Sequence, residues 1–199
     1  MTTRYLALVF AALGASSAFA QQEAQPIFNG TDLSGWVAPE NNAENKWWTV
    51  SDQTIRCQSG PGKKGSILFT EQKYRDFELT LDFRMGEGTV DSGVMLRGCH
   101  DQIQIGISGS LKRDMTCSPY IPKKGYPVEA EGIEELLKPA DWNTLKVRAV
   151  GGEYVVWLNG KKVMTYASKT AEEEGPIGLQ LHGGKDMAID FRNLLAKPL

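Results

Sequence analysis

The residues best suited to chemistry in this chain cluster between Asp91 and Tyr120. Acids, bases and hydrogen-bonding amides stand there at close spacing: Arg97, His100, Asp101, Gln102, Gln104, Lys112, Arg113 and Asp114. Together these side chains could hold hydroxyl groups, face a negative charge or move a proton. The outer, solvated face of a sheet has the same composition. The stretch is therefore compatible both with a site for a polyhydroxylated ligand and with an ordinary polar surface.

Alternation along this stretch predicts two strands, residues 93–97 and 102–107, separated by a break at Gly98. Successive side chains of a strand point to opposite faces, so one face of each strand would be apolar. The apolar set comprises Val94, Leu96, Ile103 and Ile105. The opposite face would carry Arg97, Gln102 and Gln104, together with Gly93 and Met95.

A second stretch, residues 175–184, contains one of the two histidines of the chain. Its alternating aliphatic residues would point to the core, which places Gln180 and His182 on the opposite, polar face. A neutral imidazole can accept a proton or bind a metal, although a histidine satisfied by hydrogen bonds at a strand end has the same pattern. The register predicts one concavity lined by Arg97, Gln102, Gln104, Gln180 and His182.

The elements that must position these residues are short strands. Runs of alternating residues bounded by Gly, Pro, Asn and Asp predict strands over residues 47–50, 66–69, 77–84, 93–97, 102–107, 143–150, 154–158, 162–166, 177–181 and 187–191. Asn159-Gly160 predicts a tight hairpin turn, and residues 132–138 predict a short helix before Pro139. We therefore expect an all-β fold, a single antiparallel two-sheet sandwich over residues 25–199 with neighbouring first and last strands.

Residues 1–20 have the features of a secretory signal peptide. An apolar run follows Arg4 and ends on Ala18-Phe19-Ala20, a small-residue cleavage pattern, and the run is too short to span a bilayer. A buried N-terminal helix is the alternative. The pattern predicts export, to the periplasm or beyond the cell.

Charge and hydropathy exclude two classes of partner. The formal net charge of -2 and the pI near 5.8 give no basic field for nucleic acid. After residue 20 the sequence has no apolar stretch long enough to cross a membrane. The oligomeric state is not indicated by the sequence.

Three cysteines, Cys57, Cys99 and Cys117, are too few for a disulfide scaffold. Export would permit one bridge, and a Cys99–Cys117 bridge would stabilise by roughly 3 kcal/mol in the chain-entropy model. Three reduced thiols packed as small apolar groups are the other possibility.

The aromatic residues have two interpretations. Phe28 and Trp36 flank a loop that could stack on a sugar, but such residues more often anchor a chain end in the core. The same preference for the core applies to Trp47, Trp48, Trp142 and Trp157.

Seven motifs in order carry a resemblance to a known family. They are Phe28-Asn29-Gly30-Thr31-Asp32-Leu33-Ser34-Gly35-Trp36, Asp91-Ser92-Gly93-Val94 through Arg97-Gly98, Gln102-Ile103-Gln104, Asp141-Trp142-Asn143, Leu158-Asn159-Gly160, residues 175–183 and Phe191-Arg192-Asn193. Together they resemble the 3-keto-disaccharide hydrolase domain family over essentially the whole mature chain. The resemblance implies a concanavalin A-like, laminarinase-like jelly roll with a glycan-holding concave face.

The resemblance also implies chemistry on glycosides oxidised to a ketone at sugar carbon 3. A base would remove the acidified C2 proton, the enolate would expel the anomeric substituent, and water would add. His182 is the preferred base and Asp101 the second candidate. Arg97, Lys112 or Arg113 would face the enolate oxygen, or a divalent metal ion would replace them. The expected substrate contacts are Gln102, Gln104, Gln180, Lys112, Arg113, Asp114 and His100.

One position departs from the family pattern. Where the family commonly has a Glu two residues before the central glutamine, this chain has Gln102, and its acid is Asp101, one residue earlier. A regular strand would turn Asp101 to the opposite face unless a bulge near Gly98 and Cys99 re-aims it. A non-catalytic carbohydrate-binding module on the same fold is the alternative function.

Overall fold

The computed structural model describes residues 23–199. The strands in chain order are β1 (Gln25–Pro26), β2 (Trp36–Val37), β3 (Trp48–Ser51), β4 (Thr54–Gln58), β5 (Ser66–Tyr74), β6 (Phe77–Gly88), β7 (Asp91–Leu96), β8 (Asp101–Gly106), β9 (Pro119–Tyr120), β10 (Asn143–Val150), β11 (Glu153–Leu158), β12 (Lys161–Ala167), β13 (Gly175–Leu181) and β14 (Met187–Pro198). Two short helices, α1 (Asn42–Asn45) and α2 (Ile133–Leu136), and a 3-10 turn (Pro61–Lys63) complete the elements. The segment predicted as a signal peptide lies outside the described residues.

All strand pairs are antiparallel and belong to two sheets. The larger sheet has eight strands in the order β12-β11-β10-β6-β14-β4-β3, with β1 also paired to β14. The smaller sheet has six strands in the order β2-β5-β13-β7-β8-β9. Gln25 of β1 lies opposite Ala196 of β14, so the predicted pairing of the first and last strands is confirmed. The predicted all-β, two-sheet class is also confirmed.

The core lies between the two sheets and follows the period of two. In β6, Phe77, Leu79, Leu81 and Phe83 are buried, whereas the residues between them are not. The predicted hairpin turn joins β11 to β12, with positive φ angles of 50° at Asn159 and 85° at Gly160. Within residues 23–199 neither helix is long and apolar enough to cross a membrane.

Most of the aromatic anchors are in the core, as expected, but two tryptophans are not. Phe28, Trp36, Trp47 and Trp48 are buried. Trp142 and Trp157 are half-buried outside the core cluster, beneath cations: Arg192 lies 3.9 Å from the Trp142 ring and Lys146 lies 5.1 Å from the Trp157 ring. The core interpretation was wrong for these two residues.

All three cysteines are free thiols. Cys57 and Cys117 are buried, as the second of the two possibilities expected, but Cys99 is exposed and does not pack as a small apolar group. Burial raises the pKa of the Cys57 thiol, which keeps it protonated and unreactive.

Arg97 does not face the predicted concavity, which corrects its assignment as a catalytic, substrate-binding residue. Strand β7 ends at Leu96, and Arg97 has a left-handed backbone with φ of 55° that breaks the alternation. Its side chain is 1% exposed, and its guanidinium donates to the backbone oxygens of Arg75, Gly151 and Glu172. It also lies 3.3 Å from the carboxylate of Asp76. Arg97 therefore ties three loops together at one end of the sandwich.

Asp101 also lies away from the concavity, so its assignment as an alternative base is wrong. The strand is regular at this point, and Asp101 points between the sheets with 1% exposure. The Tyr154 hydroxyl donates to Oδ2 at 2.7 Å and the Thr170 hydroxyl to Oδ1 at 3.0 Å. Burial and then the Asp101 carboxylate raise the pKa of Tyr154, which keeps this donor protonated.

We predict that Arg97→Ala lowers the free energy of unfolding by about 3 kcal/mol, because buried carbonyl oxygens lose a charged donor. Urea denaturation followed by tryptophan fluorescence measures the change. The matched control is Arg75→Ala in a neighbouring loop. The Arg75 side chain is 66% exposed and pairs with an exposed Glu173, so we expect a change within about 0.5 kcal/mol. Equal losses in the two variants would contradict a structural role for Arg97.

Candidate functional site

Three neighbouring strands of the smaller sheet, β13, β7 and β8, form the floor of a cavity. Their register places Gln180, Gly93 and Gln104 in one row across the sheet. Gly93 leaves space for the amide of Gln102, because a Cβ at residue 93 would lie only 2.2 Å from Gln102 Nε2. The bare glycine thus allows a long side chain to lie flat on the sheet.

The three glutamines form one hydrogen-bonded chain. Gln102 Nε2 donates to Gln104 Oε1 and to Gln180 Oε1, each at 3.0 Å. Gln104 Nε2 in turn donates to Asp91 Oδ1 at 2.9 Å. Gln102 and Gln104 are buried, so the network fixes the direction of each amide. Among the described residues, Gln102 Oε1 accepts no hydrogen bond and Gln180 Nε2 donates none. These two atoms are available to a ligand.

Asp91 lies at the end of this chain and is the buried acid of the cavity. It is 3% exposed, and Lys185 Nζ lies 2.9 Å from its Oδ2 atom. His182 Nδ1 is 3.9 Å from the same oxygen. Gly109 covers the carboxylate from the loop after β8, since a Cβ there would approach Oδ2 to 3.0 Å. The carboxylate is therefore neutralised inside the protein and does not face the cavity as a free charge.

The tautomer of His182 follows from its neighbour. Its Nδ1 atom lies 2.8 Å from the backbone oxygen of Gly183. A carbonyl oxygen can only accept, so Nδ1 carries the proton of the neutral ring. The Nε2 atom then has the free lone pair. The side chain is 49% exposed and lines the cavity.

The opposite wall of the cavity is formed by Tyr120, Tyr126 and the loop after β8. The two tyrosine rings meet edge to face with centroids 5.3 Å apart. Burial is the main cause that raises the pKa of Tyr126, so its hydroxyl stays protonated at neutral pH and can donate. Ser108, Ser110 and Lys112 add hydroxyl groups and one cation to this wall.

The cavity has a volume of about 510 Å³, within the range of roughly 300–1,000 Å³ typical of small-molecule sites. A neighbouring cavity of about 610 Å³ is larger and is lined by Arg113, Asp114 and Glu129. Its predicted residues are already engaged: Arg113 makes a two-pronged ion pair with Glu129, and Asp114 Oδ1 accepts a hydrogen bond from the Thr116 backbone N–H at 2.7 Å. The first cavity is the candidate site because its polar groups are buried, ordered and partly unused.

The cavity contains five of the residues predicted from the sequence: Gln102, Gln104, Gln180, His182 and Lys112. It does not contain Arg97, Asp101, His100, Arg113 or Asp114. His100 lies in the β7–β8 turn, 3.2 Å from Glu172. The prediction that Arg97, Asp101, His100, Arg113 and Asp114 belong to the site in this cavity is therefore wrong.

Sequence reasoning missed several cavity residues, among them Asp91, Tyr120, Tyr126 and Lys185. Alternation could have found Asp91, because it precedes Gly93 by two residues and shares its face. Lys185 follows His182 closely enough to have been considered with it. The sequence around Tyr126 has no pattern that predicts a site residue, because Tyr126 lies in the loop between β9 and α2 and lines the cavity through the course of that loop.

A metal ion does not fit the side chains of this site. Among residues 23–199 there is no cluster of three His, Cys, Asp or Glu side chains. The oxygen of Asp91 nearest His182 is taken by the Lys185 ammonium group. A cation would have to displace that charge, so we derive no step through a metal.

The two-sheet sandwich and its polar, ligand-sized cavity define a jelly-roll protein with a candidate small-molecule site. The chain belongs to the family of 3-keto-alpha-glucoside-1,2-lyase-like domains, whose model matches residues 23–197. This match confirms the resemblance noted in the sequence. A search of curated proteins gave no match.

Solved structures with the same architecture include proteins provisionally named glycosyl hydrolases and sugar-binding modules. One of the former, from Parabacteroides distasonis, is 22% identical with a TM-score of 0.67, over 89% of this chain and 100% of that one. The carbohydrate-binding module CBM66 from Bacillus subtilis is 15% identical with a TM-score of 0.52, over 82% of this chain and 95% of that one. The carbohydrate recognition domain of Emp47p is 14% identical with a TM-score of 0.57, over 91% and 99%. At these identities the likeness establishes the fold alone.

We predict that Lys185→Met destabilises the protein by about 2–3 kcal/mol, because it leaves the buried Asp91 carboxylate without its cation. The second variant, Lys185→Met with Asp91→Asn, removes the charge as well and should recover at least half of the loss. A double-mutant cycle on urea-denaturation free energies measures the coupling. Additive effects would show that the 2.9 Å contact does not neutralise Asp91.

Proposed function

We propose that this protein is an exported enzyme that cleaves 3-keto-glycosides, with His182 as the general base. The observation that carries the proposal is the position of His182, which lines the cavity and whose Nδ1 atom lies 2.8 Å from the backbone oxygen of Gly183, so that the lone pair of the neutral ring is on Nε2. Membership of the lyase-like family supports the substrate class. The ordered amide floor supports binding of a sugar, because oriented donors and acceptors match hydroxyl groups.

The reaction begins at carbon 2 of the oxidised sugar. His182 Nε2 takes the C2 proton, and the C–H electron pair moves to form an enolate whose oxygen is on carbon 3. The enolate pair then forms the C1–C2 double bond and expels the aglycone oxygen, which takes a proton from the imidazolium or from the Tyr126 hydroxyl. Water adds to C1 and a proton returns to C2. The net result is hydrolysis of the glycosidic bond.

The enolate oxygen needs a positive group, and of the three cations suggested by the sequence, Arg97, Lys112 and Arg113, Lys112 is the one that lines the cavity. Lys112 lines the cavity, and among the described residues no carboxylate pairs with its ammonium group. Lys185 is engaged with Asp91 and holds the floor in place. In this proposal Lys112 stabilises the enolate oxygen, whereas Lys185 stabilises the folded site by pairing with Asp91.

The unused amide atoms give the sugar its orientation. Gln180 Nε2 can donate to a sugar oxygen, and Gln102 Oε1 can accept from a hydroxyl group. Both amides are fixed by their other hydrogen bonds, so little side-chain entropy is lost on binding. The departure from the family pattern at Gln102 replaces a charge on the floor by a neutral acceptor.

We predict that His182→Ala lowers turnover of a 3-keto-glucoside by at least about 10²-fold, since loss of a general base costs roughly 10²–10⁴ in rate. The melting temperature should change little because the His182 side chain is half exposed. His100→Ala is the matched control: it removes the other histidine, which lies outside the cavity, and should retain full turnover. Release of the aglycone, followed by chromatography with and without chelator, measures the rate.

Two other results would redirect the proposal. Near-parental turnover by His182→Ala would show that another group takes the proton. Tight binding of glucosides by the parent protein without any turnover would favour the alternative function, a non-catalytic carbohydrate-binding module. Calorimetric titration of the parent protein with methyl glucoside separates that case from an inactive preparation.

Export is part of the proposal and is supported by the pattern of residues 1–20. Expression of the full chain in a bacterial host should give a mature N-terminus at Gln21, found by mass spectrometry of the periplasmic fraction. An intact Met1 in the cytoplasmic fraction would contradict export.

A further inference from the structure

An apolar surface lies beside the cavity on the same face of the smaller sheet. It consists of Val37, Ile67 and Phe69, which we call the apolar ledge. Val37 is 55% exposed, and Ile67 and Phe69 are half-buried. Apolar side chains that remain accessible next to a polar cavity indicate a contact surface for the ligand of that cavity.

The strand register joins the ledge directly to the site. Ile67 of β5 lies opposite Gln180 of β13, which is part of the cavity floor. Phe69 lies opposite Gly178, and Val37 of β2 lies opposite Phe69. Cross-strand partners have Cβ atoms roughly 4.5–5.5 Å apart. A ligand that contacts Gln180 and extends toward β5 therefore reaches Ile67 and Phe69 next.

The position of the Phe69 ring depends on the glycine opposite it. A Cβ at Gly178 would lie 2.6 Å from Phe69 Cε1 and 2.9 Å from Ile67 Cγ2. Gly178 does not have a positive φ angle, so its backbone conformation does not require glycine. The missing side chain instead gives the Phe69 ring room to lie over the sheet.

We propose that the apolar ledge binds the aglycone of the 3-keto-glycoside, and that this aglycone is apolar or aromatic. The inference rests on the proposed function and adds the chemical class of the leaving group. The sugar ring contacts the glutamines of the floor, and the group beyond the glycosidic oxygen lies against Phe69 and Ile67.

The chemistry of the ledge favours an apolar aglycone over a second sugar. None of its three side chains can donate or accept a hydrogen bond. Hydroxyl groups of a second sugar that lost water on this surface would remain unpaired, which is unfavourable. An aromatic ring gains contact area with Phe69 and Ile67 at no such cost.

The test compares ligands that differ only beyond the glycosidic oxygen. Calorimetry measures binding of phenyl glucoside, methyl glucoside and maltose, and turnover assays use the 3-keto forms of the same compounds. We expect phenyl glucoside to bind at least about tenfold more tightly than methyl glucoside, from contact with an aromatic ring. The values of kcat/KM for the 3-keto forms should follow the same order.

Two variants assign this preference to the ledge. Phe69→Ala should remove most of the phenyl preference and leave methyl glucoside binding unchanged. Gly178→Ala should also reduce it, because the new methyl group displaces the Phe69 ring. Trp157→Ala is the matched control, a half-buried aromatic residue on the larger sheet, and should retain the full preference.

The results separate the inference from the function on which it rests. Equal binding of the phenyl and methyl compounds, or tighter binding of maltose, would overturn the inference while turnover of 3-keto-glycosides continued to support the function. A phenyl preference that survives Phe69→Ala would also overturn it. Absence of both binding and turnover for all three ligands would overturn the inference together with the proposed function.

Discussion

The cavity depends on the neutralisation of one buried charge. Asp91 is placed on the site face by strand register, and its carboxylate is almost fully removed from water. An unpaired carboxylate would be unstable there, so Gln104 and Lys185 each contact one of its oxygens at 2.9 Å. Through Gln104 the same carboxylate orients Gln102 and, beyond it, Gln180. The Asp91 carboxylate thus determines which way the amide groups of all three glutamines point.

This arrangement suits elimination better than ordinary glycoside hydrolysis. Ordinary glycosidases use two carboxylates that flank the scissile bond, and both must be free to act. The cavity described above has one buried acid that is already occupied. The cavity is otherwise lined by an imidazole, the cation of Lys112 and several neutral donors and acceptors. These groups are enough for the proposed cleavage of a 3-keto sugar, because the ketone itself makes the C2 proton acidic and no second carboxylate is needed.

Much of the site was predictable because the period of a strand is fixed. The alternation that turns Leu179 and Ile103 to the core necessarily places Gln180 and Gln102 on the other face, and the structure has them so. The same rule failed at Arg97, where a left-handed residue ends the strand and sends the side chain toward three loops. A tertiary contact of this kind has no local signature. Lys185 and Tyr126 reach the cavity along loops, whose paths the alternation rule does not describe.

The free cysteines have a consequence for what holds the β7–β8 turn in place. With no bridge among Cys57, Cys99 and Cys117, the β7–β8 turn is held by the guanidinium of Arg97 and by packing, not by a covalent link. Neither interaction changes with the redox potential of the surroundings. The two buried thiols are shielded from oxidants, and the exposed Cys99 lies outside the cavity, where modification would leave the floor untouched. Reducing conditions therefore have no disulfide to break among Cys57, Cys99 and Cys117.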